Sequence, residues 1–193
     1  MGGGSRLNRN GSNLGDVLQQ IWKGSPESST WVTEHLKAIV PDLAEIHPTS
    51  SAGRRLIRFD QFADDSHDKV NQFYSSSMSV GTLKSLGILA ALRQVNAPSL
   101  VAVEDIEDSI HPGALNVIFD AVAATLHRCP IIVTTHSTEL LSHPEAHAKR
   151  IRLVTRQNGA SWVYRLAPEL HHLPAYETVG GLLRINGLLP AGK

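Results

Sequence analysis

A chain of 193 residues with 41% hydrophobic and 19% charged side chains has the size and make-up of one ordinary globular domain, which excludes a fibrous or disordered chain. Its 18 basic and 18 acidic side chains cancel, so no overall positive field gathers nucleic acid or anionic lipid, and contact with either would be local. A single cysteine, Cys129, excludes an intrachain disulfide, and no apolar run reaches the roughly 18 residues needed to cross a bilayer.

The opening Met1-Gly-Gly-Gly-Ser5 lacks the basic start and apolar core of a signal peptide, so residues 1–9 read as a flexible linker and the cytoplasm is the expected compartment. Asn10-Gly-Ser-Asn13 supplies turn and cap chemistry ahead of a helix through Leu14, Val17, Leu18 and Ile21. Lys23-Gly-Ser-Pro-Glu-Ser-Ser29 breaks the chain, and a second helix is predicted from Trp31 to Val40, stopping at Pro41. Arg54-Arg-Leu-Ile-Arg-Phe59 alternates charge with apolar bulk and reads as a half-exposed strand. Residues 10–75 are therefore expected to form an accessory region of helices and strand.

The middle of the chain is more regular. A helix is predicted from about Val80 to Val95, followed by the wholly apolar run Leu100 to Val103, which ends in Glu104-Asp105. Pro112 opens a helix through Ala114, Val117, Ile118, Ala121, Val122 and Leu126, and Ile131-Ile-Val-Thr-Thr135 gives a second buried strand ending in His136. Two strands joined by such a crossover make a right-handed βαβ unit, so the fold class is α/β with a mostly parallel sheet flanked by helices. Arg150 to Arg156 and Ser161 to Leu166 form a hairpin around Asn158-Gly159, closing a lobe at 76–166, and 167–193 is a tail.

In a parallel sheet, ligands collect beyond the carboxyl ends of the strands, and this sequence concentrates its polar residues there. Glu104 and Asp105 follow the first buried strand, while Thr134, Thr135 and His136 end the second. Adjacent side chains leaving a strand point to opposite sides, so the two carboxylates are free to take different tasks. Taken singly, such a pair is most often a cap or solvated turn, and a lone histidine a hydrogen-bonded neighbour. Their succession is what sets them apart. The ten histidines are otherwise scattered, with no CxxC or HExxH spacing for a metal.

Leu100-Val-Ala-Val-Glu-Asp-Ile-Glu-Asp-Ser-Ile-His-Pro112 resembles the Walker B and D-loop stretch of AAA/ABC-type ATPases related to RecF, SMC heads and OLD-like proteins. Ile131-Ile-Val-Thr-Thr-His-Ser137 resembles their switch-histidine strand, and Ser79-Val-Gly-Thr-Leu-Lys-Ser-Leu-Gly-Ile-Leu89 their signature motif; Asn10-Gly-Ser-Asn-Leu14 resembles a segment that often precedes it. The resemblance runs from about Asn10 to Leu166 and implies the C-terminal lobe of a P-loop NTPase. It implies that Glu104 holds Mg²⁺, that Asp105 orients or deprotonates the attacking water, and that His136 reaches the γ-phosphate of ATP. Ser79, Gly81 and Thr82 would contact the nucleotide held by an opposite head, through N–H groups and hydroxyls at a helix start. Partners implied are an N-terminal ATPase half or full-length head, a second head in a homodimer, and nucleic acid, in DNA repair or defence; no membrane is implied.

Asp105 stands where the family more usually has glutamate, and Val80 where it has an acidic or polar residue. Lys84 follows the signature within one helical turn, where it could contact phosphate, but it reads more readily as a solvated helical lysine. No Gly-x-x-x-x-Gly-Lys-Ser/Thr occurs, so the Walker A half is lacking and ATP and Mg²⁺ are not expected to bind this segment tightly alone. Two further readings stand beside the ATPase lobe: a non-catalytic, partner-binding module, and a metal hydrolase built on Glu104, Asp105 and His136.

Overall fold

The computed structural model describes residues 6–51, 53–166 and 179–181, and these divide into two units, Met1–Thr134 and Thr135–Lys193. In the first unit, α1 (Leu14–Gly24) and α2 (Pro26–Ile39) are separated by one residue, Ser25. The break predicted over residues 23–29 is therefore shorter than its composition suggests. Ser25 caps α2 by accepting a bond from Ser28 N–H at 3.2 Å, and Pro26 sits at the first helical position, where its missing N–H costs nothing. Asn13 occupies the N-cap position of α1, but its side chain turns back, accepting from Asn8 N–H and donating to the Arg6 carbonyl. That ties residues 6–8 to the helix start, and Leu7 N–H is held in turn by Gln94 Oε1 at 2.6 Å.

Three antiparallel strands follow as a meander: β1 (Leu43–Ser51), β2 (Arg54–Phe62) and β3 (Val70–Tyr74), in the order β1-β2-β3. Only the middle strand was legible as such. β1 contains Pro48, opposite Ile57, which a strand tolerates because β1 lies at the sheet edge. One face of the meander buries Leu43, Ile46, Ile57 and Phe59. The other carries a polar group in which His47 Nε2 lies 3.1 Å from Asp60 Oδ2 and Arg58 Nε 2.9 Å from Asp60 Oδ1. Arg55 pairs with Asp16 at 2.9 Å and so joins β2 to α1.

The parallel unit comprises α3 (Val80–Arg93), β4 (Val101–Val103), α4 (Pro112–Thr125) and β5 (Ile131–Val133), with β4 and β5 in register Val101↔Ile131, Ala102↔Ile132 and Val103↔Val133. Helices α1 to α4 share one apolar core in which Leu18, Ile21, Leu36, Leu89 and Ile118 are fully enclosed. Each such side chain contributes about 1.5–3 kcal/mol by leaving water. Arg93 is also buried, its guanidinium 4.1 Å above the Trp31 ring. Burial and the nearby Arg128 charge push its pKa down from the ordinary arginine value, while Glu27 opposes them.

In the second unit, β6 (Arg152–Gln157) and β7 (Ala160–Arg165) pair as the expected hairpin. Asn158 and Gly159 both have positive φ, 50° and 81°, as a two-residue hairpin turn requires. Of the tail at 167–193, only 179–181 are described, as a short helical piece. A Cβ at Gly180 there would overlap the Thr138 carbonyl oxygen and the Ser142 hydroxyl. The rest of the tail, and residues 1–5 of the expected linker, lie outside the described residues.

Candidate functional site

β4 and β5 are parallel, and both run towards the polar residues the sequence places after them. Glu104 and Asp105 leave β4 exposed. Glu104 pairs with the guanidinium of Arg9 at 3.5 Å, with side chains 76% and 95% exposed, a pair whose net effect on stability is close to nothing. Its carboxylate remains open to a ligand.

Asp105 is held differently. Its backbone has φ 44°, in the left-handed region that L residues enter at a cost, although aspartate is among those that tolerate it best. Both of its peptide groups are gripped by side chains from other elements. Its N–H donates to Thr134 Oγ1 at 2.9 Å, one residue past β5, and its carbonyl accepts from Lys84 Nζ at 2.8 Å, on α3. Asp108 N–H reaches the same carbonyl at 2.9 Å and closes the turn. Lys84 has only a quarter of its side chain exposed and also lies 3.8 Å from Asp108 Oδ2. It is not the solvated lysine expected from the sequence.

The start of α3 is packed against the same loop. A Cβ at Gly81 would overlap the Ser109 carbonyl oxygen, so only glycine permits this approach of helix to loop. Ser79 is the N-cap of α3: its hydroxyl accepts from Thr82 N–H at 3.0 Å and lies 2.8 Å from Thr82 Oγ1. The first-turn N–H groups of Val80 and Gly81 have no carbonyl within the helix to receive them. A cleft of about 430 Å³ opens here, lined by Ser79, Gly81, Thr82, Ser85, Ser109 and His111 among others. The Ser85 hydroxyl is buried and has no hydrogen-bond partner among the described residues. His111 caps α4, its Nδ1 accepting from Gly113 N–H at 3.1 Å, which fixes the tautomer protonated at Nε2. Two helix N-termini thus converge on one hydroxyl-rich cleft, an arrangement suited to anions.

Glu104, Asp105, Ser79, Gly81 and Thr82 accordingly belong to one unit, linked through Lys84 and the Gly81–Ser109 approach. His136 belongs to the other unit, exposed, in a turn where Ser137 N–H bonds to Thr135 Oγ1 at 2.9 Å and Leu140 N–H to Ser137 Oγ at 3.3 Å. Among the described residues no three His, Cys, Asp or Glu side chains converge as a metal cage. The donors present, two exposed carboxylates and a threonine hydroxyl, are hard oxygens. They suit Mg²⁺, which accepts one or two carboxylates and completes its shell with water and phosphate.

Ser85 and Ser109 were not singled out from sequence, Thr134 was named only as a polar strand end, and Lys84 was weighed only as a phosphate contact or a solvated lysine. One signal for Lys84 was present: it lies three residues beyond Gly81 and therefore on the same face of α3.

The family described as "AAA domain, putative AbiEii toxin, Type IV TA system" matches residues 8–142. The chain belongs to this family of AAA-type ATPases. No curated protein sequence matches it. Among solved structures it is similar to a chain from the structural biochemistry of ATP-driven dimerization and DNA stimulated activation of SMC ATPases, at 14% identity and TM-score 0.58 over 80% of this chain and 91% of that one. It is similar also to the Smc head domain with a coiled coil and joint derived from Pyrococcus yayanosii (13%, TM-score 0.58, 79% of this chain and 28% of that one). A third is the SmcHead bound to the C-winged helix domain of ScpA (13%, TM-score 0.56, 88% and 52%). At these identities the likeness establishes the fold, the P-loop NTPase architecture of SMC ATPase heads. It also accounts for the small parallel sheet with helices packed against it. No helix among the described residues is long and apolar enough to cross a membrane.

Proposed function

We propose that this chain supplies the signature, Walker B and switch-histidine lobe (76–166) of an ATP-hydrolysing head, with 10–75 as an accessory region. The observation that carries this reading is the placement of two exposed carboxylates, Glu104 and Asp105, at the carboxyl end of a parallel strand, locked to the glycine-bearing start of α3. Glu104 holds Mg²⁺, which when bound offsets charge on the nucleotide phosphates. Asp105 orients the attacking water and accepts its proton, and His136 contacts the γ-phosphate. Ser79, Gly81 and Thr82 present hydroxyl and N–H donors to the nucleotide of a second head. Such a pair closes on ATP and separates on hydrolysis.

The α/β-phosphates still need a cradle, and the chain contains no Gly-x-x-x-x-Gly-Lys-Ser/Thr to form one. An N-terminal P-loop segment provides it, and the bare side of the β4–β5 pair is where that segment docks. Leu100, Ala102 and Ile132 are exposed on this side, although parallel sheets are normally covered on both faces. DNA repair or defence is the setting, with nucleic acid as a partner of the assembled heads in the cytoplasm, in line with the DNA stimulation named for the similar SMC ATPase.

Isothermal titration of ATP and Mg²⁺ into the chain alone, then with a P-loop segment supplied, tests the composite site: binding is expected only in the second case. Turnover of that assembly should fall roughly 10²–10⁴-fold in Asp105→Asn and in Glu104→Gln. Unchanged turnover in both variants removes the assignment. The second reading, a partner-binding module without catalysis, is favoured by the same bare face. It predicts association that is indifferent to nucleotide.

A further inference from the structure

We propose that Lys84 and Thr134 are positioning residues that hold Asp105 in its left-handed conformation, and that Lys84 thereby makes the carboxylate's placement depend on the position of α3. This rests on the reading of Asp105 as the carboxylate that orients water. A left-handed aspartate relaxes unless its neighbours fix it. Here its N–H is taken by the Thr134 hydroxyl and its carbonyl by the Lys84 ammonium, each at hydrogen-bonding distance and each from a different element. An ammonium donor makes the stronger bond of the two. Lys84 stands on the first two turns of α3, the helix whose start bears Ser79, Gly81 and Thr82. Because Gly81 also abuts the Ser109 carbonyl, a shift or rotation of α3 cannot leave the 104–111 segment behind. An anion drawn to the start of α3 would therefore move or steady Asp105 through a lysine that does not itself line the cleft.

Amide hydrogen exchange on the 193-residue chain tests the clamp without requiring turnover. In Lys84→Met, exchange at Asp105 and Asp108 should accelerate about tenfold or more while α4 and the body of α3 keep their protection, and Lys84→Arg should restore it. Thr134→Val, with Thr134→Ser as its control, should release the Asp105 amide independently and serves if Lys84→Met does not fold. Unchanged exchange, or loss spread evenly over α3 and α4, overturns the clamp. In the P-loop-completed assembly, Lys84→Met should lower kcat roughly 10- to 100-fold with little change in KM for ATP, and Lys84→Arg should recover most of it. If Asp105→Asn turns over normally while Lys84→Met still frees the amides, the catalytic reading of Asp105 falls and the clamp stands. If Asp105→Asn is inactive while Lys84→Met changes neither exchange nor kcat, the clamp falls and the reading stands.

Discussion

The antiparallel meander β1–β3 and the parallel pair β4–β5 lie in the same unit of the chain and are finished to different degrees. The meander buries Phe59, Ile46, Ile57 and Leu43 on one face of β1 and β2, while β3 is exposed along its length, and its other face carries the half-buried His47 and Arg58 around a buried Asp60. An antiparallel sheet is stable in that state, because alternation along each strand separates the two faces. The parallel pair has three residues per strand, one face turned towards helices, and a second face on which Ala102 and Ile132 are exposed side by side. Nothing in the described residues answers that second face. The meander therefore serves the stability of this chain, whereas the parallel pair presents the two carboxylates on which the proposed function rests.

If that division is right, the largest effect on folding belongs to the meander. Phe59→Ala removes a fully enclosed ring and should cost about 3–5 kcal/mol, read as a lowered denaturation midpoint at unchanged slope. A cost below about 1 kcal/mol would mean that the meander is not part of the unit's core. Gly81→Ala comes next: its Cβ meets backbone rather than a yielding side chain, so α3 and the Ser109 loop must part, at about 1–3 kcal/mol. Hydrogen exchange at residues 105–110 should rise with it. Retention of wild-type stability and exchange would show that the loop is not pinned to α3.

Ile132→Thr separates the two sheets more sharply. The residue is 55% exposed, and threonine keeps the branched Cβ that strands favour, so the denaturation midpoint of the chain alone should stay within about 0.5 kcal/mol. Association with a P-loop segment should nevertheless weaken by about 1 kcal/mol, or severalfold in Kd, through lost apolar contact. Loss of stability without loss of association would assign Ile132 to this chain's own core and leave the docking face without support.

These contrasts also explain what the sequence could convey. The helices α1, α3 and α4 and the strands β4 and β5 were legible, because apolar period and length mark them without help from distant residues. β1 and β3 were not: Pro48 argues against a strand unless its edge position is known, and all five residues of β3 are exposed, leaving no alternation to detect. α2 begins five residues before its first aromatic, through a Ser25-Pro26 start that resembles a linker. At the site, the carboxylates and the α3 start could be named by their succession along the chain. The role of Lys84 could not, since its partner carbonyl is 21 residues away and becomes a partner only when Asp105 turns left-handed. Residues that make chemistry possible by holding others are written in tertiary contacts.

The smallest effect lies in the loop between β2 and β3, on the meander's solvent side. Asp64 is fully exposed, yet its pKa lies below the ordinary aspartate value because the Ser66 hydroxyl donates to Oδ1 at 2.5 Å and Ser66 N–H at 3.0 Å; His67 adds a weaker attraction and slight desolvation opposes them. A folded-state pKa below the unfolded one favours folding above the unfolded value, and that contribution disappears as pH falls through the folded value. Ser66→Ala removes the larger donor, so the Asp64 pKa should rise towards the ordinary carboxylate range in a carbon-detected NMR titration. The acid limb of the stability profile should flatten slightly, and stability near neutral pH should change little, since the site faces water. An unmoved Asp64 titration would assign its depression to the Ser66 backbone N–H alone. A shift that also altered exchange at residues 104–110 would mean that the meander loop and the carboxylate loop are coupled, and the two regions could no longer be treated as separate in role.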